Sequence, residues 1–225
     1  MSRSTLPVAL PNPQYVRRLP ECTLVGVVHD HPASVERVRR IVREAAHETL
    51  ALELPPLAVG LYRSHATETG PAGGEMSAAI EESGAAVVGI DGPSARFVRT
   101  FHRYLEREGI DEGTRGRLES HLETARRRAM RCRLAATELG RGRALDGDRV
   151  FDHDCDPESG REDRAADERS HVASARAAAA FSPPHVAHRD AIREECMAAA
   201  IRECPNPVVA VVGIGHLDEL AARLR

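Results

Sequence analysis

The chain has 225 residues, a formal net charge of -3 and 42% hydrophobic residues, which is ordinary for one globular domain with a sizeable core. A nearly neutral charge argues against nucleic acid or a membrane surface as a partner. Because every basic side chain is arginine, chemistry that needs a lysine, such as a Schiff base or a phosphate-binding P-loop, is excluded.

The cysteines and the first residues predict a cellular compartment. The five cysteines are scattered without Cys-x-x-Cys spacing, and the chain starts without an apolar signal segment, so we expect a reduced, cytoplasmic protein. No apolar run approaches the roughly 20 residues that span a bilayer, and no membrane segment is expected. Alanine-rich stretches such as 173–180 could pack against a second subunit, which leaves a homodimer open.

Taken in order, the chain begins with a Pro-rich segment, residues 1–21, that is expected to be a surface lead-in. Residues 22–28 and 49–56 then predict two buried strands. Between them lies a helix whose apolar positions share one face and whose cap is expected near Ser34, which makes a parallel βαβ unit. A loop rich in Gly and Thr follows, and then a helix entered through glycines at 73–82 and a third strand at 85–91.

The second half of the chain is predicted to be mainly helical. Periodic, charged segments indicate helices over 94–109, 113–140, 162–180 and 186–203, with an acidic polar loop at 141–165. A last strand at 207–212 is followed by a closing helix at 217–224. We therefore predict a single α/β domain over 1–225: a small, mostly parallel sheet of about four or more strands flanked by helices, with a helical insertion at 94–180 before the last strand.

Two Gly-x-x-His motifs, ending at His29 and His216, follow the first and last predicted strands, while Glu53 and Asp91 end the other two. The carboxyl ends of parallel strands form the edge where open α/β sheets bind ligands. Imidazole and carboxylate suit divalent zinc, manganese or cobalt with a position open for water. The sequence thus predicts a metal site at this edge, and four structural strand ends are the alternative.

Three other clusters of histidine, acidic or basic residues have simpler structural interpretations. His29 and His31 form a His-x-His pair of the kind found in barrel metallohydrolases, but four strands do not make an eight-stranded barrel. The run 152–156, Asp-His-Asp-Cys-Asp, contains metal-binding residue types and is interpreted as a solvated acidic loop. The arginine-rich run 126–133 is interpreted as a solvated helix face, and no cysteine has an activating context.

Taken in order, several motifs resemble the TraB/PrgY family, which groups with the Tiki, erythromycin-esterase-like and ChaN-like proteins. The similarity covers about residues 22–104 and 181–223, and the chain departs from the family pattern at Gly92 and His188. The motifs that carry it are Gly26-Val-Val-His29, Leu52-Glu53-Leu-Pro, Gly74-Glu75-Met, Gly84 to Asp91, Arg189-Asp190 and Val211-Val-Gly-Ile-Gly-His216-Leu.

The resemblance implies a metal-dependent hydrolase that acts on peptides by metal-activated water, with inactivation of peptide signals as one role. It implies a divalent ion (manganese, cobalt or zinc) held by His29 and His216, with Glu53 as a third ligand or the general base. Arg189 would hold a substrate carboxylate or an oxyanion, and Glu75 and Asp91 would help to bind substrate. A non-catalytic binding protein for a peptide or small molecule and a small-molecule ester or amide hydrolase remain alternatives.

Overall fold

The computed structural model describes residues 9–68, 74–136 and 153–225, and its five strands form one sheet. The strand order is β1-β2-β5-β3-β4; β1 pairs antiparallel with β2, and the other pairs are parallel. The predicted fold, a mostly parallel α/β sheet flanked by helices, is therefore confirmed. The strands are β1 (Val16–Arg18), β2 (Cys22–Val27), β3 (Thr49–Leu52), β4 (Ala86–Gly89) and β5 (Val208–Gly213).

Eight α-helices accompany the sheet in the described ranges, and four of them separate β4 from β5. None of these helices is long and apolar enough to cross a membrane. Their bounds are α1 (Pro32–Glu44), α2 (Val59–Glu68), α3 (Gly74–Glu82), α4 (Ala95–Arg107), α5 (Glu112–Ala135), α6 (Arg161–Ala179), α7 (Pro184–Arg202) and α8 (Leu217–Leu224).

Local structure differs from the prediction in several places. The lead-in segment contributes the edge strand β1, whose three residues are too few to show a pattern, and the expected Gly- and Thr-rich loop contains α2. His31, not Ser34, caps α1, because its Nδ1 accepts the Ala33 N–H. The predicted polar loop at 141–165 ends early, since α6 begins at Arg161; residues 137–152 lie outside the described residues.

Both faces of the sheet are covered by helices, which explains why the sequences of its central strands are unbroken apolar runs. Alternate residues along a strand point to opposite faces. Leu24 and Ala210 face α7 and α8, together with Val172 of α6. Leu50 and Val211 face α1, α2, α3 and the end of α5.

The sheet order places the two Gly-x-x-His motifs side by side. Strands β2 and β5 are neighbours, and Val27 is paired with Gly213. The helix after β2 packs on one face of the sheet and the helix after β5 packs on the other. Where connections diverge in this way, α/β proteins commonly bind ligands at the carboxyl ends of the two strands.

A buried ion pair attaches α6 to α1. Arg37 and Glu168 are both fully buried, and two Arg37 nitrogens donate to the two Glu168 oxygens at 2.7 and 2.8 Å. Ser34 and Asn12 also donate to this carboxylate. Burial raises the pKa of Glu168, but Arg37 and these hydrogen bonds lower it on balance. Glu168 is therefore a carboxylate at neutral pH.

Replacing Glu168 by Ala should destabilise the fold strongly, because it leaves the Arg37 guanidinium buried without its counter-ion. We expect the free energy of unfolding to fall by about 3–5 kcal/mol, the usual cost of breaking a buried pair. Urea denaturation followed by circular dichroism measures the change.

The matched control is Glu219→Ala, which removes an exposed (i, i+4) pair with Arg223 and should cost about 0.5 kcal/mol or less. Equal losses in the two variants would contradict the assigned role of Glu168.

Candidate functional site

A buried carboxylate positions His29 at the end of β2. Glu75, the second residue of α3, is only 2% exposed, and its Oε1 accepts a hydrogen bond from His29 Nδ1 at 2.7 Å. Its Oε2 accepts the Asp30 N–H at 2.9 Å. The His29 side chain is 47% exposed. One edge of the ring is thus held by the protein, while much of the side chain remains accessible to solvent.

Glycine at position 74 makes this arrangement possible. Asp30 adopts a left-handed backbone with φ 58°, and Gly74 has φ 58° as well. A Cβ atom on Gly74 would lie 1.9 Å from Asp30 Oδ1, so only glycine lets α3 begin against the His29-Asp30 turn. The glycine-led start of α3 therefore brings the Glu75 carboxylate to the ring of His29.

The surroundings of His29 favour its charged form. The hydrogen bond to Glu75 and the charges of Glu75 and Glu53 outweigh the opposing effect of burial and raise the pKa of His29 to about 9. At neutral pH the ring is therefore mainly an imidazolium, whose Nδ1–H donates to Glu75. The contribution of Glu53 also shows that His29 lies within electrostatic range of the end of β3.

Arg193 of α7 joins the ends of three parallel strands. Its Nη2 donates to Glu53 Oε1 at 2.5 Å and to Asp91 Oδ2 at 2.8 Å. Its Nε also donates to Asp91, and its Nη1 lies 2.9 Å from His216 Nε2. Glu53, Asp91 and His216 follow β3, β4 and β5, so one guanidinium connects them; we call these four side chains the edge network.

Glu53 is an ionised, buried member of this network. Its second oxygen, Oε2, accepts the Gly213 N–H at 2.5 Å. Burial raises the pKa of Glu53, but the charges of Arg193 and His29 and the Gly213 hydrogen bond lower it below the ordinary value. A Cβ on Gly213 would lie 3.3 Å from Oε2, so glycine gives the carboxylate room at the end of β5.

His216 is held at both ring nitrogens. A guanidinium can only donate, so Nε2 must offer its lone pair to Arg193; Nδ1–H then donates to Glu194 Oε1 at 2.9 Å. Burial lowers the pKa of His216, whereas the Glu194 hydrogen bond and the Glu53 charge raise it above the ordinary value on balance. The contact with Arg193 nevertheless requires the neutral ring, with its proton on Nδ1.

The structure gathers most of the predicted site residues at one edge, but not around the expected arginine. Glu53, Asp91 and His216 share the edge network, and His29 and Glu75 form a pair at the neighbouring strand end. Arg189 is 38% exposed and pairs with the adjacent Asp190, whereas Arg193 makes the contact with Glu53. The two arginines are one helical turn apart, so the (i, i+4) spacing could have suggested Arg193.

The ligand set that the family resemblance implies would have to rearrange to bind a metal ion. Both oxygens of Glu53 and both ring nitrogens of His216 are engaged by protein groups. His29 donates Nδ1–H to Glu75, which is a common orientation of metal-bound histidines and leaves Nε2 of the neutral ring as a possible ligand atom. A metal ligand needs a free lone pair, so His216 would first have to leave Arg193.

A different group of side chains could hold a metal ion. In the described part of the chain, ligand atoms of His31, Cys155 and Asp167 all lie within 4.8 Å of one another. His153 packs edge-on against His31, with 4.7 Å between the ring centroids. The interpretation of 152–156 as a solvated loop is therefore wrong for His153 and Cys155, which pack beside the start of α1; Asp152 lies outside the described residues.

The chain was compared with protein-family models, curated proteins and solved structures. No protein-family model matches the chain, and neither the curated proteins nor the solved structures include a match. The resemblance to the TraB/PrgY family accordingly depends on the sequence motifs alone.

Replacing Arg193 by Met should destabilise the fold far more than replacing Arg189 by Met. The first change leaves Glu53 buried without its counter-ion and should cost about 3 kcal/mol at pH 7; the second removes an exposed pair and should cost about 1 kcal/mol or less. Urea denaturation at pH 7 measures both.

The difference between wild type and Arg193→Met should shrink below about pH 4.5. The lowered pKa of Glu53 means that its ionised form stabilises the fold above the unfolded-state pKa, and this contribution is lost as the pH falls. Similar losses in the two arginine variants at pH 7 would contradict the edge network.

Proposed function

We propose that the chain is a hydrolase that cleaves an amide or ester bond of a peptide in the crevice between β2 and β5. The observation that supports this most is the pair formed by half-exposed His29 and buried Glu75. Histidine is the commonest general acid–base group, and its efficiency depends on a fixed orientation. The alternative substrate is a small-molecule ester or amide; the preference for peptides comes from the resemblance to the TraB/PrgY family.

In this proposal His29 carries the proton. The neutral ring accepts a proton from the attacking water at Nε2, while Nδ1–H keeps its hydrogen bond to Glu75, which stabilises the imidazolium that forms. The imidazolium then returns the proton to the leaving amine or alcohol. A pKa of about 9 for His29 makes the ring a strong base that is only fractionally unprotonated at neutral pH.

Arg193 supplies the positive charge for the carbonyl oxygen. Its Nη1 carries two hydrogens, and the contact with His216 uses one of them. The Arg193 side chain is 23% exposed, and in this proposal the second hydrogen donates to the substrate and stabilises a developing oxyanion. Glu53, Asp91 and His216 position the guanidinium for this role.

The metal-dependent form of the hydrolase, implied by the resemblance, would need His216 and Glu53 to turn from their present partners toward a manganese, cobalt or zinc ion, with His29 Nε2 as a further ligand. Such an ion would supply an activated water and polarise the carbonyl. Since the ligand atoms of His216 and Glu53 are engaged, the proposal assigns the proton transfer to His29 and Glu75.

A binding protein without catalysis is the second candidate. The observation that favours it is that both oxygens of Glu53 already have partners. Arg193 pairs with one oxygen, and the Gly213 N–H donates to the other. A protein of this kind would hold a peptide through Arg193 and the charged form of His29 and release it unchanged.

The test is to incubate the protein with a library of peptides and esters and to detect cleavage by mass spectrometry. The reactions are run with a chelator and, separately, with added Mn²⁺, Co²⁺ or Zn²⁺. We expect turnover that His29→Ala abolishes. For a cleaved substrate, kcat/KM should rise with pH and level off above about pH 9, as His29 loses its proton.

Glu75→Gln should move this rise to lower pH, because it removes the carboxylate that raises the pKa of His29. Glu81→Gln, which changes an exposed carboxylate on the same helix, should leave the profile unchanged. Saturable binding without turnover would favour the binding protein. A pH profile of kcat/KM that is the same in Glu75→Gln as in wild type would contradict the role of His29.

A further inference from the structure

His31, Cys155 and Asp167 come from three separate parts of the chain and converge at the start of α1. His31 caps α1, Cys155 lies in the segment before α6, and Asp167 lies on α6. His31 Nε2 is 3.1 Å from Asp167 Oδ2 and 3.6 Å from Cys155 Sγ. The His31 side chain is fully buried and that of Asp167 is 19% exposed. The group is thus sheltered but open to solvent on one side.

A fourth side chain packs against His31, with 4.7 Å between the ring centroids of His31 and His153. His153 Nε2 lies 3.1 Å from the His29 carbonyl oxygen, which can only accept, so Nε2 carries a hydrogen and the lone pair of the neutral ring lies on Nδ1. Within the described residues, Nδ1 is buried and has no hydrogen-bond partner. Metal-bound histidines commonly donate their other N–H to a backbone carbonyl, and His153 already makes this bond.

We propose that His31, Cys155 and Asp167 bind a zinc ion, with His153 Nδ1 as the fourth ligand after the His153 ring moves toward the other three. Zinc accepts thiolate, imidazole and carboxylate together in a tetrahedral site, whereas magnesium and calcium require oxygen ligands and manganese favours them. The ion would tie the 153–155 segment and α6 to the start of α1, two residues from His29. This site is separate from the ligand set implied by the family resemblance.

Binding requires two proton movements. The Cys155 thiol loses its proton to solvent as the sulfur–zinc bond forms. Without zinc, His31 Nδ1 accepts the Ala33 N–H at 3.1 Å, so the ring proton lies on Nε2. To bind zinc through Nε2, the ring must carry its proton on Nδ1 instead, and the hydrogen bond from Ala33 is lost. The Ala33 amide therefore reports directly on zinc at His31.

The experiment is a titration of chelator-treated full-length protein with Co²⁺ and then Zn²⁺. We expect one equivalent of Co²⁺ to produce a thiolate-to-cobalt charge-transfer band that one equivalent of Zn²⁺ removes. The same equivalent of Zn²⁺ should shift the Ala33 amide signal in NMR spectra and raise the midpoint of thermal unfolding. Mn²⁺ at the same concentration should do neither.

Variants locate the site. Mutating a residue that only orients a metal ligand commonly lowers metal affinity about 10–100-fold. Cys155→Ser and Asp167→Asn remove ligands themselves, so they should bind Zn²⁺ more than about 100-fold more weakly than wild type. His153→Ala should bind Zn²⁺ at least about tenfold more weakly. Cys204→Ser, a change of a partly buried cysteine elsewhere, and His216→Ala should bind as wild type.

Thermal unfolding of each variant without metal verifies that it is folded. Wild-type protein without a one-equivalent site, or a Cys155→Ser variant that is folded and binds normally, would overturn the proposal. Normal affinity in His153→Ala would remove His153 from the site, and loss of binding in His216→Ala would assign the ion to the other histidines.

Discussion

The edge network depends on one guanidinium that pairs with two carboxylates in a confined space. Glu53 and Asp91 end neighbouring parallel strands, and like charges that share a site repel one another. Arg193 reaches both of them and also occupies the lone pair of His216. The sheet order makes this possible, because β5 lies between β2 and β3. A cation delivered from α7 is therefore what allows three strand ends to present ionisable groups together.

The histidines of the two Gly-x-x-His motifs have different partners. His29 is held at one nitrogen by buried Glu75 and is half-exposed, which suits the proton transfer proposed for it. His216 is held at both nitrogens, by Glu194 and Arg193, and its role in the proposal is to orient the guanidinium. In the proposal, the same short motif thus gives one reactive and one supporting side chain, and the difference arises from the helices that supply their partners.

Four of the five strands and most helices could be predicted because β-branched runs and 3.6-residue periodicity are local signals. The site was predictable only in part: parallel strands bring His29, Glu53, Asp91 and His216 to one edge. That Arg193 rather than Arg189 contacts Glu53 could not be predicted, because the packing of α7 on the sheet decides which helical turn meets Glu53. The packing of Cys155 against His31 was hidden for a similar reason, since 124 residues separate them and no local pattern specifies their contact.

The central claim is that Arg193, and not a metal ion, occupies the lone pair of His216 Nε2, while zinc binds at His31. Histidine ring ¹⁵N shifts, recorded above the pKa of His216 with and without one equivalent of Zn²⁺, test this claim most directly. The account predicts a His216 ring protonated on Nδ1 whose signals do not change with Zn²⁺, while the His31 and His153 signals move. A metal-dependent shift of His216 Nε2, with His31 unaffected, would contradict it.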